Sequence, residues 1–465
     1  MSSRTCWAET DGDVGDMRVV KDEHGRPLQL TRLLGTGGQG EVWAAGDRVA
    51  VKVLRARTRR AAERLRQRLR TVRRLDLDGL AISRPLAMLA EPDVGYTMEL
   101  LGDMTALRVL ANPPPRTDLV DWYGETGGLR RRLRLLARAA DVLAALHARG
   151  IVYGDPSPGN MMASASAEHS QVWLVDADNL DVESVVPDES FTTPGYGAPE
   201  VVAGRMGISS LSDAYAFAVM AFETLALVHP FLGDDVQEGE PEEEERAFAG
   251  ELPWIDDPGD DRNRSSYGLP RRAVLTPGLR TLAERTFGAG RSDPVERATV
   301  AEWRTKLQTA ADLTLTCAQC TQTFIVGSAA CPWCGATTPR QLMGLMHLAV
   351  PGEETYAGTR DGLAIPPREW LCVTARTAQL APDADQDRPI AWLWWEPGSG
   401  LAVRNRGREP LWLSRRTGGS PRVVEPDGEL TVPVYEDVPE WSVHFGHRSQ
   451  LHRVLRFRLL GTDRT

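Results

Sequence analysis

The chain has 465 residues, 42% apolar and 25% charged, with a formal net charge of −10. It is too long for one compact core and too ordinary in composition to be fibrous or wholly disordered, so two or three globular domains are expected. The acidic balance argues against general nucleic-acid binding. The longest apolar stretch, Ala214 to Val228, is broken by Glu223 and too short to span a bilayer, and the start lacks a signal-like apolar core, so a cytoplasmic protein without a membrane partner is expected.

Residues 1–26 are polar and rich in Asp and Gly and read as a flexible lead-in. Leu28 to Leu34 and Glu41 to Ala45 then read as strands joined by Gly35-Thr36-Gly37-Gly38-Gln39-Gly40, and Arg48 to Leu54 as a third strand. A dinucleotide-binding fold would open a helix after its glycines, whereas Glu41-Val42-Trp43 continues in strand alternation. Glycines in such a turn let the backbone close over phosphates and offer N–H donors to them.

Of the 54 basic residues 51 are arginine, so Lys52, one of three lysines, stands out as a site that calls for a compact ammonium. Arg55 to Arg74 holds ten arginines against the single acid Glu63 and is strongly helix-forming; Arg130 to Arg138 holds five more. Both runs read as solvated helix faces. Val94 to Leu100 reads as a strand. A helix ending at His147 leads into Gly150-Ile151-Val152-Tyr153-Gly154-Asp155-Pro156-Ser157-Pro158-Gly159-Asn160. The apolar run Val172 to Val175 precedes Asp176-Ala177-Asp178, and Thr192-Thr193-Pro194-Gly195-Tyr196-Gly197-Ala198-Pro199-Glu200 follows. Asp234 to Asp261, with thirteen acids and one arginine, reads as an exposed insertion.

In this order the motifs GTGGQGEV, AVK, YGDPSPGN, DAD and APE resemble the protein kinase superfamily over roughly residues 28–310. The resemblance implies an α+β, bilobal protein-kinase-like fold over 27–312, with an N-lobe at 27–101 and a C-lobe at 102–312. It implies an ATP site that uses Gly35, Gly37, Gly38, Gly40, Val42, Ala50 and Lys52. Glu63 is the expected partner of Lys52, Met98 the gatekeeper, and Glu99 and Leu101 the main-chain contacts to adenine. Asp155 is implied as catalytic base, and Asn160 and Asp176 as ligands of Mg²⁺ or Mn²⁺. Glu200 is expected to pair with Arg297, and Asp213 to brace the catalytic loop.

Three departures from the family pattern bear on activity. Tyr153-Gly154-Asp155 lacks the arginine that usually precedes the aspartate, which removes the usual grip on a phosphorylated activation loop. Ser157 stands where a lysine is usual, and Asp176-Ala177-Asp178 replaces Asp-Phe-Gly. Together with Pro194 to Glu200, these motifs resemble a bacterial subgroup found with metal-dependent protein phosphatases and von Willebrand factor A proteins. That implies a protein substrate, a cognate phosphatase and a von Willebrand factor A partner. Transfer of the γ-phosphate of ATP to Ser or Thr of a protein is the expected activity. A pseudokinase scaffold and a small-molecule phosphotransferase are the alternatives.

Cys317-Ala-Gln-Cys320 and Cys331-Pro-Trp-Cys334 form two Cys-x-x-Cys knuckles, the donor set of a closed structural Zn²⁺ site, and define a zinc ribbon at 313–338. Cys6 and Cys372 read as free thiols. From 339 to 465 short alternating segments separated by turn signals predict a small all-β, sandwich-like interaction domain.

Overall fold

The computed structural model describes residues 18–183, 192–353, 355–381, 385–434 and 440–461. These residues form two compact units, one drawn from 1–126, 131–270 and 277–307, the other from 127–130, 271–276 and 308–465. The expected boundary at 312 therefore falls a few residues late, and ribbon and β domain share one unit.

The first unit begins with a hairpin of β1 (Val19–Lys21) and β2 (Pro27–Gln29). The lead-in expected over 1–26 is thus corrected at its end: Val20 is buried, and Asp22 accepts from the His24 and Arg26 amides. Residues 1–17, with Cys6, lie outside the described residues. β3 (Arg32–Thr36), β4 (Gly40–Ala44), β5 (Val49–Leu54), β6 (Ala87–Met88) and β7 (Gly95–Glu99) form one antiparallel sheet in the order β3-β4-β5-β7-β6.

Strand alternation divides β5 between two apolar layers. Val51 and Val53 face Val20, Leu28, Leu30 and Leu89 beneath the hairpin, while Ala50 and Leu54 face a cluster with Leu69, Tyr96 and Met98. Leu65 and Leu69 come from α1 (Arg59–Val72), which Thr58 caps by accepting from the Ala61 amide. Lys52 points the same way as Ala50 and Leu54 and is therefore buried.

The remainder of this unit is mainly helical. Its elements include β8 (Met104–Ala106), α2 (Leu119–Glu125), most of α3 (Gly128–Ala148), β9 (Ile151–Val152), β10 (Met161–Ser164), β11 (Val172–Leu174), β12 (Asp181–Val182) and α4 (Pro199–Val202). At its centre lies α5 (Ser210–Ala226), opened by a Ser209–Ser212 capping box and buried along nearly its whole length. The acid-rich stretch forms two short helices, Asp234–Glu238 and Pro241–Phe248, joined by a turn.

The second unit starts with the hairpin β13 (Thr314–Thr316) and β14 (Thr323–Ile325). β15 (Gln341–Ala349), β16 (Ala357–Ile365), β17 (Trp370–Thr374), β18 (Pro389–Glu396), β19 (Gly400–Asn405), β20 (Leu411–Arg415), β21 (Arg422–Val424), β22 (Glu429–Val432), β23 (Trp441–His444) and β24 (His452–Leu460) follow. They build a six-stranded sheet, β16-β15-β24-β23-β20-β21, and a four-stranded sheet, β17-β18-β19-β22. Leu342, Leu393, Trp395, Val403, Leu413 and Val443 from both sheets share one core, the arrangement of a β-sandwich.

Glu200, on α4, and Arg297 form a buried bidentate pair with both N···O distances at 2.7 Å, and the guanidinium lies 5.0 Å from the Tyr215 ring. Arg297→Ala leaves the Glu200 carboxylate buried and unpaired. We expect a loss of about 3–5 kcal/mol in urea denaturation, and a smaller loss when Glu200 is replaced by Leu in the same chain.

Candidate active site

Antiparallel register sets Lys52 of β5 opposite Val42 of β4 and Tyr96 of β7. Its Nζ lies 3.1 Å from Asp176 and 2.7 Å from Asp178, and the Tyr96 hydroxyl donates to the same Asp178 oxygen at 2.8 Å. The two carboxylates differ in setting: the Asp178 side chain is 7% exposed and that of Asp176 is 30% exposed. Burial pulls the ammonium toward its neutral form, but attraction to Asp176 and Asp178 outweighs it and the Lys52 pKa rises. Burial likewise pushes the Asp178 carboxyl up, yet Lys52 and Tyr96 hold it below the usual carboxylate range.

Local backbone geometry produces this convergence. Asp176 adopts a left-handed conformation (φ 58°, ψ 45°), which aspartate tolerates better than most residues, and Ala177–Asn179 follow as one 3-10 turn. The reversal brings Asp178 back toward Lys52. Asn179 receives Gln39 Nε2 from the glycine turn at 3.3 Å and Arg68 of α1 on its carbonyl at 3.2 Å.

The glycine turn has two kinds of glycine. A Cβ on Gly40 would lie 2.2 Å from the Val53 carbonyl oxygen, so strand pairing requires glycine there, whereas Cβ atoms on Gly37 and Gly38 would meet nothing within 4 Å. Gly35 pairs with Val42 across the β3–β4 register. Leu34, Val42, Ala50, Met98 and Leu100 belong to one apolar cluster, with Met98 paired to Ala50. Glu99 closes β7, the Leu100 amide donates to the Arg48 carbonyl at 3.0 Å, and Leu101 continues the chain.

In the loop after β9, Asp155 accepts from the Thr193 amide (2.7 Å), the Thr193 hydroxyl (2.8 Å) and Asn160 Nδ2 (2.8 Å). Burial lifts its carboxyl to about 6, against these donors, which pull it down. Thr193 also reaches the buried Ser157 hydroxyl at 3.2 Å. Asp213 accepts from the amides of Tyr153 (2.7 Å) and Gly154 (2.9 Å) and bonds His147, the bracing expected of it. Tyr153 donates to the carbonyl oxygens of Asn160 and Val175, tying the Asn160 segment to the Asp176 segment. The Val175 amide in turn donates to Asn160 at 2.9 Å. Asn160 turns its amide nitrogen to Asp155, leaving the amide oxygen on its other side. That oxygen and the half-open Asp176 carboxylate are the hard donors that a Mg²⁺-like cation takes.

Lys52, Asp155, Asn160 and Asp176 thus gather in one unit. Glu63 does not join them. It is a correction to the sequence reading: Glu63 is exposed and bonds Arg70 at 3.2 Å. The helix turn that meets the site carries Arg68 instead. Asp178, a partner of Lys52, and Tyr96, which donates to Asp178, were missed by the motif reading; the legible signal was a helix with one acid beside a doubled Asp-x-Asp.

The protein kinase domain matches residues 28–265, just over half of the chain. The chain belongs to the protein kinase family. It is 31% identical over 218 residues to the serine/threonine-protein kinase PknA of Mycobacterium tuberculosis, covering 44% of this chain and 48% of PknA. It is 30% identical over 225 residues to the DNA damage-responsive serine/threonine-protein kinase RqkA of Deinococcus radiodurans (45% and 31%). It is 27% identical over 236 residues to the serine/threonine-protein kinase PkaA of Streptomyces coelicolor (46% and 41%). The chain therefore spans half or less of the length of these curated relatives. Family membership implies ATP and a divalent cation. Among the described residues no helix is long and apolar enough to cross a membrane.

The cysteine knuckles lie outside the kinase match. Cys317, Cys320, Cys331 and Cys334 bring all four Sγ atoms within 4.8 Å of one another, with 3.8 Å between Cys317 and Cys334 and 3.7 Å between Cys320 and Cys331. A tetrahedral ion with bonds of about 2.3 Å needs Sγ–Sγ edges of about 3.8 Å, whereas a disulfide needs about 2.05 Å. The knuckles repeat each other: Thr321 (φ 62°) and Gly335 (φ 71°), each four residues beyond a first cysteine, donate their amides to the Cys317 and Cys331 carbonyls. The group can hold one metal ion. Elemental analysis of the purified chain should find about one metal equivalent, lost in a Cys320→Ser/Cys331→Ser variant.

Proposed function

We propose that this kinase transfers the γ-phosphate of Mg·ATP to serine or threonine of a protein substrate, with Asp155 as catalytic base. The observation that carries the proposal is the Asp155 carboxylate, held by Thr193 and Asn160 and close enough to Asp176 to feel its charge, with Asp176 in turn meeting Lys52. With its carboxyl near 6, Asp155 is anionic at neutral pH and able to orient an attacking hydroxyl and take its proton. Lys52 faces the α- and β-phosphates, and the open turn at Gly37 and Gly38 leaves room for backbone approach from above. Asn160 and Asp176 would hold Mg²⁺ or Mn²⁺, which neutralises the charge of the transferring group when bound. The apolar cluster around Val42, Ala50 and Met98 serves as the adenine wall, with main-chain contacts from Glu99 and Leu101.

Ser157 brings no charge to the γ-phosphate, so modest turnover is part of the proposal. In the second unit the four cysteines hold a structural Zn²⁺ and the β-sandwich serves as an interaction module. The subgroup resemblance extends the reading to a cytoplasmic kinase whose mark a metal-dependent phosphatase reverses, working with a von Willebrand factor A protein.

The test is transfer of labelled γ-phosphate to the chain itself and to a generic basic protein. Asp155→Asn should lower the rate by about 10²- to 10⁴-fold while Mg·ATP still binds. An unchanged rate would remove Asp155 from the chemistry, and binding without transfer by the unaltered chain would favour an ATP-binding scaffold.

A further inference from the structure

A lysine ammonium with 3% of its surface exposed must have an anion in contact. In protein kinases that anion is a glutamate on the helix that follows the lysine strand, and the pair must be in place for catalysis. Here the helix is α1. Its single acid, Glu63, has 60% of its side chain in solvent and faces Arg70. Where α1 meets the site it contributes Arg68, a cation, whose guanidinium reaches the Asn179 carbonyl. The helix has no means of supplying the counter-charge.

We propose that Asp178 is a positioning residue that holds Lys52 in place of a helix glutamate and so leaves Asp176 to the catalytic cation. The inference rests on the kinase reading above and deepens it. Three observations carry it. Asp178 makes the shorter contact, 2.7 Å against 3.1 Å for Asp176. Tyr96, directly opposite Lys52 on the neighbouring strand, fixes the same Asp178 oxygen from a second direction. The buried carboxylate is Asp178 and the more exposed one is Asp176, the division expected of a fixed counterion and a metal ligand.

The arrangement has a consequence for control. A kinase whose lysine pairs with its helix can be switched off by moving the helix. In this chain the pair is made by the same 3-10 turn that presents the metal ligand, and Gln39 links the glycine turn to Asn179 of that turn. Lysine anchoring, cation binding and closure of the glycine turn are therefore set by one segment, and displacement of Glu63 leaves the ion pair intact.

The experiment measures Mg·ATP affinity by calorimetry and labelled phosphate transfer in the full chain for Asp178→Gly, Asp178→Asn, Glu63→Gln, Lys52→Ala and Lys52→Ala/Asp178→Asn. Glycine is the residue an Asp-Phe-Gly motif has at this position, and asparagine keeps the volume and a Tyr96 hydrogen bond, so loss of folding in one variant leaves the other informative. Both Asp178 variants should lose at least about tenfold in kcat/KM for ATP, the scale of one charge-assisted hydrogen bond, and Glu63→Gln should stay within about twofold. The double variant should bind Mg·ATP no more weakly than Lys52→Ala alone, because Asp178 acts through Lys52. Wild-type behaviour of Asp178→Gly, additive losses in the double variant, or a loss in Glu63→Gln as large as in Asp178→Asn would each overturn the proposal. If the unaltered chain binds Mg·ATP and transfers nothing, the kinase reading fails, and the affinity cycle still decides the role of Asp178.

Discussion

A buried ammonium is the constraint around which the catalytic unit is organised. Desolvating a charge of this size costs several kcal/mol unless oppositely charged groups meet it in good geometry. Lys52 is buried because it alternates with Ala50 and Leu54 toward the α1 layer, so its position follows from the strand pattern itself. Two carboxylates and a tyrosine hydroxyl must then converge from other elements, and the left-handed Asp176 followed by a tight turn is how the chain delivers them.

The rest of the site depends on that turn being held in place. Tyr153 occupies the position of the histidine in the usual His-Arg-Asp motif and ties together the backbone carbonyls of Asn160 and of Val175, the residue before Asp176. Asp213, at the first turn of the buried helix α5, fixes the backbone of the same loop through two amides. In the proposed reaction Asp155 is thereby positioned by groups that take no part in the chemistry, as expected of a transfer that relies on placement and charge more than on covalent chemistry. The missing lysine at Ser157 is met by a neutral Thr193–Ser157 hydrogen bond, which keeps the loop geometry and omits the charge.

The family was legible in Gly35 to Gly40 and in the motifs around Lys52, Asp155, Asn160 and Asp176, because each uses particular residue types in a fixed order. The Glu200–Arg297 pair and the Asp213 brace were legible for the same reason. The partner of Lys52 was not, because templates place it on the following helix and the first acid after Lys52 in sequence, Glu63, fits the template while facing solvent. Helical phase, which decides which residue of α1 meets the site, is poorly constrained in a run where arginine occupies most of the polar positions. The β1 strand escaped notice for a related reason: Val19 to Lys21 is too short to show alternation and gains its order from pairing with β2. The cysteine knuckles were readable from spacing alone, and the structure adds the Sγ–Sγ edges that match a tetrahedral ion.

The most direct test of the central claim is a crystal structure of the full chain with Mg²⁺ and a non-hydrolysable ATP analogue. The account predicts Lys52 Nζ within about 3 Å of Asp178, Asp176 on the cation, and Glu63 in solvent. A lysine that has left Asp178 for Glu63, or a cation held by Asp178 in place of Asp176, would contradict it.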